Sequence, residues 1–280
     1  MADSAPAQLP LKGTLLQGKR GLVMGVANER SLGWGIAAAC AAQGAELAFT
    51  FQGEALEKRV RPLAGSVGSD LVLPCDVGDD LSIDAAFDAL RARWDRLDFL
   101  VHAIGFADKA YLRGRYLDTP RDAFLQALDI SCYSFIAVSQ RAVPMMRPGG
   151  SLLTLSYLGA ERWVPHYNVM GVAKAALEAS VRYMAADLGD AGIRVNAISA
   201  GPIKTLAASG IGDFRYILRW NQLNSPMQRN VTIDEVGGAG VYLVSDLSAG
   251  VTGELHHVDC GYHIVGMKNP AAPDIAIVEG

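Results

Sequence analysis

The four cysteines of this chain, Cys40, Cys75, Cys132 and Cys260, stand far apart, with no C-x-x-C pair and no histidine at metal-ligand spacing. That pattern excludes the common zinc frameworks and leaves each thiol as a small, reduced, buried residue; no metal is expected. His256 and His257 are adjacent in a strand-like stretch, so their side chains should leave opposite faces and share no ion. Basic residues are scattered, and 25 Lys and Arg against 29 Asp and Glu give a formal charge of −4. Nucleic acid is excluded as a partner, because gripping a phosphate backbone takes a clustered basic surface that releases counterions. The longest apolar runs, such as LAFTF and FLVHAIGF, fall far short of the ~20 residues that span a bilayer, so membrane insertion is not expected. The start, MADSAPAQLPLKGTLLQGKR, has no basic opening followed by an apolar run, as a secretory signal would, and the expected location is the cytoplasm. A Ser/Gly/Pro-rich linker and an internal repeat are also missing. The 280 residues therefore read as one domain, with 1–13 and 268–280 as terminal extensions.

What is present is alternation. Strand-like stretches RGLVMGV, AELAFTF, DLVLPCDV, LDFLVHAI, GSLLTLSY, IRVNAISA and ELHHVD are separated by helical ones, among them Gly33–Gln43, Leu81–Trp94 and Arg121–Met146. Such a rhythm predicts an α/β fold: a Rossmann-type, doubly wound, parallel seven-stranded sheet with its ligand at the carboxyl ends of the strands. Gly44 is placed to close the first helix and Pro120 to open a later one. Residues 204–228 break the rhythm with a long excursion after the sixth strand. It reads either as a lid over the site or as ordinary surface helices.

The first strand runs into Gly25-Val26-Ala27-Asn28-Glu29-Arg30-Ser31-Leu32-Gly33 and then a helix. A glycine turn at a helix N-terminus lets backbone amides approach a pyrophosphate, and the helix dipole favours its charge. The turn is longer than G-x-G-x-x-G, with Ser31 where a simpler version has glycine, and alone it is a weak signal. Two more strand ends strengthen it. Asp76 and Val77 offer a carboxylate and an amide to an adenine, and Ala103-Ile104-Gly105 lets the backbone pass close to a nicotinamide ribose. The second strand ends in Phe51-Gln52, where an acidic residue commonly holds the ribose hydroxyls. Gln52 is neutral and no arginine adjoins it, although Lys58 and Arg59 follow, so NADH is favoured over NADPH.

The chemistry is written in SYLGAERWVPHYNVMGVAK, residues 156–174. Tyr157 and Tyr167 are ten positions apart and Lys174 is seven beyond, while Met170 occupies the place one helical turn before the lysine. Residues seven apart lie nearly on one helix face, so Tyr167 and Lys174 can line one groove if both are helical, with Tyr157 arriving from the fifth strand. Singly, each is more often a packing tyrosine or a solvated lysine. Together, beside a glycine turn, they suggest a site. His102 and His166 lie nearby and read as packing or surface groups.

The glycine turn, Asp76-Val77 and the lysine helix resemble the short-chain dehydrogenase/reductase superfamily, whose ordinary members carry Tyr-x-x-x-Lys. The spacing of Tyr157, Tyr167 and Lys174 is similar instead to the divergent branch of bacterial NADH-dependent enoyl-acyl-carrier-protein reductases. The stretches GVANERSLGWGIA, VHAIGFA, NVMGVAKAALEASVRYMA and RVNAISAGPIKTLAASGI carry the same likeness, over roughly residues 14–267. The resemblance implies reduction of a trans-2-enoyl thioester on acyl carrier protein by NADH, the last reductive step of each cycle of dissociated fatty-acid synthesis. It implies that Tyr167 stabilises the enolate and that Lys174 holds the nicotinamide ribose. Tyr157 would assist the proton path or shape the pocket. Ile203, Thr205, Leu206 and Ala207 would contact the cofactor, Ala107 would border the substrate with the two tyrosines, and the chain would form a homotetramer, with GELHHVDCGYHI as a natural interface. The apolar lid residues Ile211, Phe214, Tyr216, Ile217 and Leu218 suit an aliphatic tail. A carbonyl or hydroxyl oxidoreductase would need a tyrosine at Met170. A non-catalytic dinucleotide sensor would tolerate the loss of the tyrosines and lysine that are kept here.

Overall fold

The computed structural model describes residues 11–206 and 212–275. Its strands are β1 (Arg20–Met24), β2 (Glu46–Phe51), β3 (Val72–Pro74), β4 (Phe99–His102), β5 (Gly150–Ser156), β6 (Ile193–Ala200) and β7 (Leu255–Val258). Each falls within a stretch predicted from sequence. They form one parallel seven-stranded sheet in the order β3-β2-β1-β4-β5-β6-β7, so the chain reverses its winding between β1 and β4. A crevice opens where winding reverses, because the loops leaving the two strands run in opposite directions.

The helices are α1 (Leu32–Ala42), α2 (Glu54–Ser66), α3 (Asp80–Arg93), α4 (Arg121–Leu128), α5 (Ser134–Ala142), α6 (Asn168–Leu188), α7 (Phe214–Asn224) and α8 (Ile233–Val244). Successive strand residues face opposite sides, and both sides are apolar. Leu22, Met24, Leu100 and Leu152 pack with Phe87 of α3, Phe135 of α5 and Leu177 of α6. Val23, Val101, Leu153 and Ile198 pack on the other side with Ile36 of α1, Val60 of α2 and Val236 of α8. A single side chain such as Phe135, fully buried, contributes about 1.5–3 kcal/mol, so the two layers together hold the sheet against large chain entropy.

Gly44 closes α1 as expected. At φ +90° it sits in the left-handed region; its amide donates to Ala41 O and the Ala45 amide to Cys40 O, a Schellman stop. Pro120 caps α4. The expected helix Arg121–Met146 is not continuous: a π turn at Asp129–Tyr133 separates α4 from α5, and a 3₁₀ turn at Val143–Met145 follows. The interruption coincides with hydroxyls that bond main chain. Ser134 Oγ donates to Ile130 O at 2.7 Å, and Ser131 Oγ turns across to the loop after β4.

The excursion after β6 contains α7, whose Trp220 Nε1 donates to the Tyr262 hydroxyl at 2.8 Å. Residues 268–275 return to this helix, with the Asn269 amide donating to Asn224 Oδ1 at 2.8 Å. Ala207 and Ile211 lie outside the described residues. His256 and His257 diverge as the strand geometry requires: His256 rests beside Tyr242 and His257 stacks on His263.

Candidate active site

The sheet order places the residues singled out by sequence in a row along one edge. Asp76 follows β3, Gln52 follows β2, Gly25 follows β1, Ile104 follows β4, Tyr157 follows β5 and Ile203 follows β6. Residues up to 178 positions apart thus share one line because parallel strands all end on the same side.

At the centre, Gly25 has φ +90°, and a Cβ there would stand 2.1 Å from Ala103 O. Only glycine lets the first turn lie against the end of β4. Ser31 is the residue before α1, yet it does not cap the helix. Its Oγ instead accepts from the Ala27 amide at 3.0 Å and the Asn28 amide at 3.2 Å, which fixes the turn. The first turn of α1, opening at Leu32, therefore has no side-chain cap and no acidic residue, a suitable cradle for a pyrophosphate. Asp76 accepts from the Gly78 amide through Oδ1 at 3.0 Å, which orients its carboxylate beside Val77. Gln52 is exposed, and Lys58 behind it is paired with Glu54 at 2.7 Å. That pairing leaves Lys58 poorly placed to favour a 2′-phosphate.

Tyr157 and Tyr167 meet edge to face, with ring centroids 5.0 Å apart. The condition that Tyr167 and Lys174 both be helical is not met: Tyr167 is the N-cap residue of α6, flanked by His166 and Asn168 at positive φ. Its carbonyl still accepts from the Met170 amide at 3.0 Å, so the helix holds its backbone without dictating its ring. The ring is held by Gly159, where an added Cβ would meet Tyr167 Cδ1 at 2.3 Å. Met170 turns to an apolar patch containing Ala107, Leu112, Val169 and Ala173. Ala107 is thus 8% exposed and packed against the first turns of α6. Among the described residues neither tyrosine hydroxyl has a protein hydrogen-bond partner. Burial first, and then Tyr262 and Asp259, raise the Tyr157 pKa; burial, Tyr157 and Glu178 raise that of Tyr167. Both remain neutral O–H donors at physiological pH.

Lys174 is 7% exposed. Its Nζ donates to Leu155 O at 2.8 Å and to Ile104 O at 3.4 Å, bridging the ends of β5 and β4. An ammonium has three N–H donors, so one remains for a ligand in the crevice. Burial lowers its pKa to about 8, against raising contributions from Cys132 and Glu178. His102 is fully buried between Ser134 Oγ (2.8 Å) and Thr154 Oγ1 (3.1 Å), and burial with the nearby Lys174 lowers its pKa to about 3. It is a neutral packing group. His166 pairs with Asp213 at 2.9 Å, joining the tyrosine loop to the start of α7.

Sequence reasoning missed Ser131. Buried in the π turn, its Oγ accepts from the Phe106 amide and donates to Phe106 O, both at 2.9 Å, and so fixes the loop carrying Ile104 and Ala107. Nothing in the helical periodicity of residues 121–146 marks it. Ile203 is half-buried, and Thr205 donates its amide to Ile203 O at 2.8 Å, with Leu206 following at 48% exposure. Among the described residues no His, Cys, Asp and Glu cluster suits a metal ion.

Residues 25–263 match the family model described as enoyl-(acyl carrier protein) reductase. The chain is 64% identical, over 95% of its length and 97% of the relative, to enoyl-[acyl-carrier-protein] reductase [NADH] 1 of Rhizobium meliloti (strain 1021). A crystal structure of the Anaplasma phagocytophilum enoyl-(acyl-carrier-protein) reductase in complex with NAD superposes with a TM-score of 0.90 at 58% identity, covering 95% of this chain and 100% of that one. The Bacillus cereus enoyl-acyl carrier protein reductase, solved with NADP+ and an indole naphthyridinone, gives 0.89 at 53% identity, covering 90% and 99%. With its parallel seven-stranded sheet reversing between β1 and β4 and this match over residues 25–263, the chain belongs to the enoyl-(acyl carrier protein) reductase family.

Proposed function

We infer that this chain reduces the trans-2 double bond of enoyl thioesters carried on acyl carrier protein, using NADH, as the last reductive step of each elongation cycle in fatty-acid synthesis. The observation that carries the inference is the meeting of Tyr157 and Tyr167, rings 5.0 Å apart, together with a Lys174 buried on the carbonyls of Leu155 and Ile104 and with Met170 in the usual tyrosine place. NADH, when bound, supplies the hydride that reaches the β-carbon of the substrate. The chain's own residues do the rest. The α1 N-terminus and the Gly25 turn receive the pyrophosphate, Asp76, Val77 and Gln52 flank the adenosine half, and Lys174 with Ile104 receives the nicotinamide ribose. Ile203, Thr205, Leu206 and Ala207 would contact the cofactor.

As negative charge develops on the thioester oxygen, the Tyr167 hydroxyl donates to it. A donor already in place in a desolvated pocket stabilises that charge without reorganisation. Tyr157 packs its ring on that of Tyr167 and sets its direction. Ala107 borders the acyl chain, and the segment 204–228 with α7 serves as its lid. We assign the whole of residues 1–280 to one catalytic domain, with 1–13 and 268–280 as extensions.

No described helix is long and apolar enough to cross a membrane, and a cytoplasmic site of action is proposed. A homotetramer is proposed too: β7 is a sheet edge, and Leu125, Tyr133, Val172 and Tyr183 leave apolar surface exposed on neighbouring helical elements. The deciding test follows NADH absorbance with a trans-2-enoyl thioester, beside a 3-oxoacyl thioester and NADPH. Oxidation of NADH by the enoyl substrate is expected. Turnover of the oxoacyl substrate alone would move the assignment to a carbonyl reductase.

A further inference from the structure

Glu178 lies one helical turn beyond Lys174 on α6 and is only 6% exposed. A buried carboxylate is costly unless something answers it, and among the described residues no arginine or lysine bonds it. Its partner is Ser156, whose Oγ donates to Glu178 Oε1 at 2.5 Å. Ser156 is the last residue of β5, directly before Tyr157, and its predecessor Leu155 gives the carbonyl that receives Lys174 Nζ at 2.8 Å. Two adjacent residues of β5 are thereby tied to two successive turns of α6, at the point where the chain turns out to the active-site tyrosine.

We propose that Glu178 is a positioning residue of this active site: through Ser156 it fixes the strand end from which Tyr157 departs, and its negative charge balances the buried ammonium of Lys174. The inference rests on the assignment of Lys174 as the cation that holds the cofactor. Side chains at i and i+4 on a helix are neighbours, close enough for unlike charges to act on each other in a water-poor site. The groups facing Lys174 are Cys132 from the π turn, His102 from β4 and Glu178 itself. His102 stays neutral, so Glu178 is the anion of that set. Facing Glu178 are Glu161 from the turn after β5, His257 from β7, Arg182 from α6, and Tyr167. Burial raises the Glu178 pKa, and the Ser156 hydrogen bond opposes that rise.

The sign of the effect is fixed. Lys174 is charged below its pKa of about 8 and loses its charge as pH rises through that value. Removing a nearby negative charge disfavours the ammonium further, so deprotonation moves to lower pH. The experiment is a calorimetric NADH titration of the full chain from pH 6.5 to 9, on the wild type and on Glu178→Gln, Ser156→Ala and Lys174→Ala.

For the wild type, affinity is expected to fall along an alkaline limb. In Glu178→Gln, which keeps an acceptor for Ser156, the limb should move down by about one pH unit, making NADH binding at pH 8 about fivefold weaker. Ser156→Ala keeps the Glu178 carboxyl but removes the hydrogen bond that favours its ionised form, so its limb should move down by no more than that of Glu178→Gln. Lys174→Ala should bind weakly with no limb. An unmoved limb in Glu178→Gln, with Lys174→Ala impaired, would overturn the role given to Glu178. Wild-type binding by Lys174→Ala would instead overturn the assignment of the lysine. If Glu178→Gln does not fold, Glu178→Asp keeps the test open, because the retained charge should hold the limb in place, and a limb displaced by a full unit there would refute the charge argument.

Discussion

Met170 stands where a Tyr-x-x-x-Lys pattern would place its tyrosine, and Tyr167 is the residue proposed to take that part. Met170 faces an apolar patch beside Ala107, while Tyr167, pinned over Gly159, stands just outside α6. Tyr167→Phe removes the hydroxyl and little else. It should lower kcat by about 10²-fold while calorimetry finds NADH affinity unchanged, because the lost donor acts on charge that exists only in the transition state. An unaltered kcat on an enoyl thioester would take the role away from Tyr167. His102 makes a second prediction at this scale. Its folded pKa of about 3 lies below the ordinary 6.5, so between those values the unfolded chain binds the proton and the folded chain does not. The neutral-histidine contribution is complete above pH 6.5 and is lost as pH falls towards 3, amounting to about 2 kcal/mol between pH 7 and pH 5. Urea unfolding of His102→Gln should show lower stability at pH 7 but a smaller loss on going to pH 5 than the wild type.

Among the elements, the π turn at Asp129–Tyr133 joins a packing layer to the site. By widening the helix for one turn it presents Ser131 to both main-chain groups of Phe106, and so fixes the loop that runs from Ile104 to Ala107. Ser131→Ala leaves a buried amide and carbonyl without that partner, a cost of about 1–3 kcal/mol. The expected result is a lower kcat/KM and a matching loss in unfolding free energy. A rise in NADH Kd is expected with it, since Ile104 shares the loop. Stability lost with kcat/KM intact would separate Ser131 from the site. Helix α8 offers a purely structural counterpart. Thr232 and Glu235 form a reciprocal capping box at its start, and Thr232→Ala should cost about 1 kcal/mol, read as a lower urea midpoint.

For the whole molecule, the expected assembly is a homotetramer, and light scattering at micromolar concentration should return the mass of four chains. A monomer alone would contradict it. Much of the architecture was legible before any coordinates. A chain that alternates buried strands with covering helices has few ways to satisfy its backbone other than a parallel sheet wrapped on both faces, and Gly25 and Gly44 mark turns that only their φ values permit. The tyrosines and lysine were legible because their spacing is local. Less was visible for the helix 121–146, whose apolar period continues through the π turn, and for Ser131 and Glu178, whose partners lie 25 and 22 residues away. The sequence by itself determined which residue types exist and how they are spaced along the chain, which is enough for strands, caps and the tyrosine-lysine pattern. Tertiary structure alone decided that Tyr167 sits outside its helix and that Lys174 is buried on two carbonyls. It also tied Glu178 to β5, because burial and long-range hydrogen bonds depend on which surfaces the closed sheet brings together.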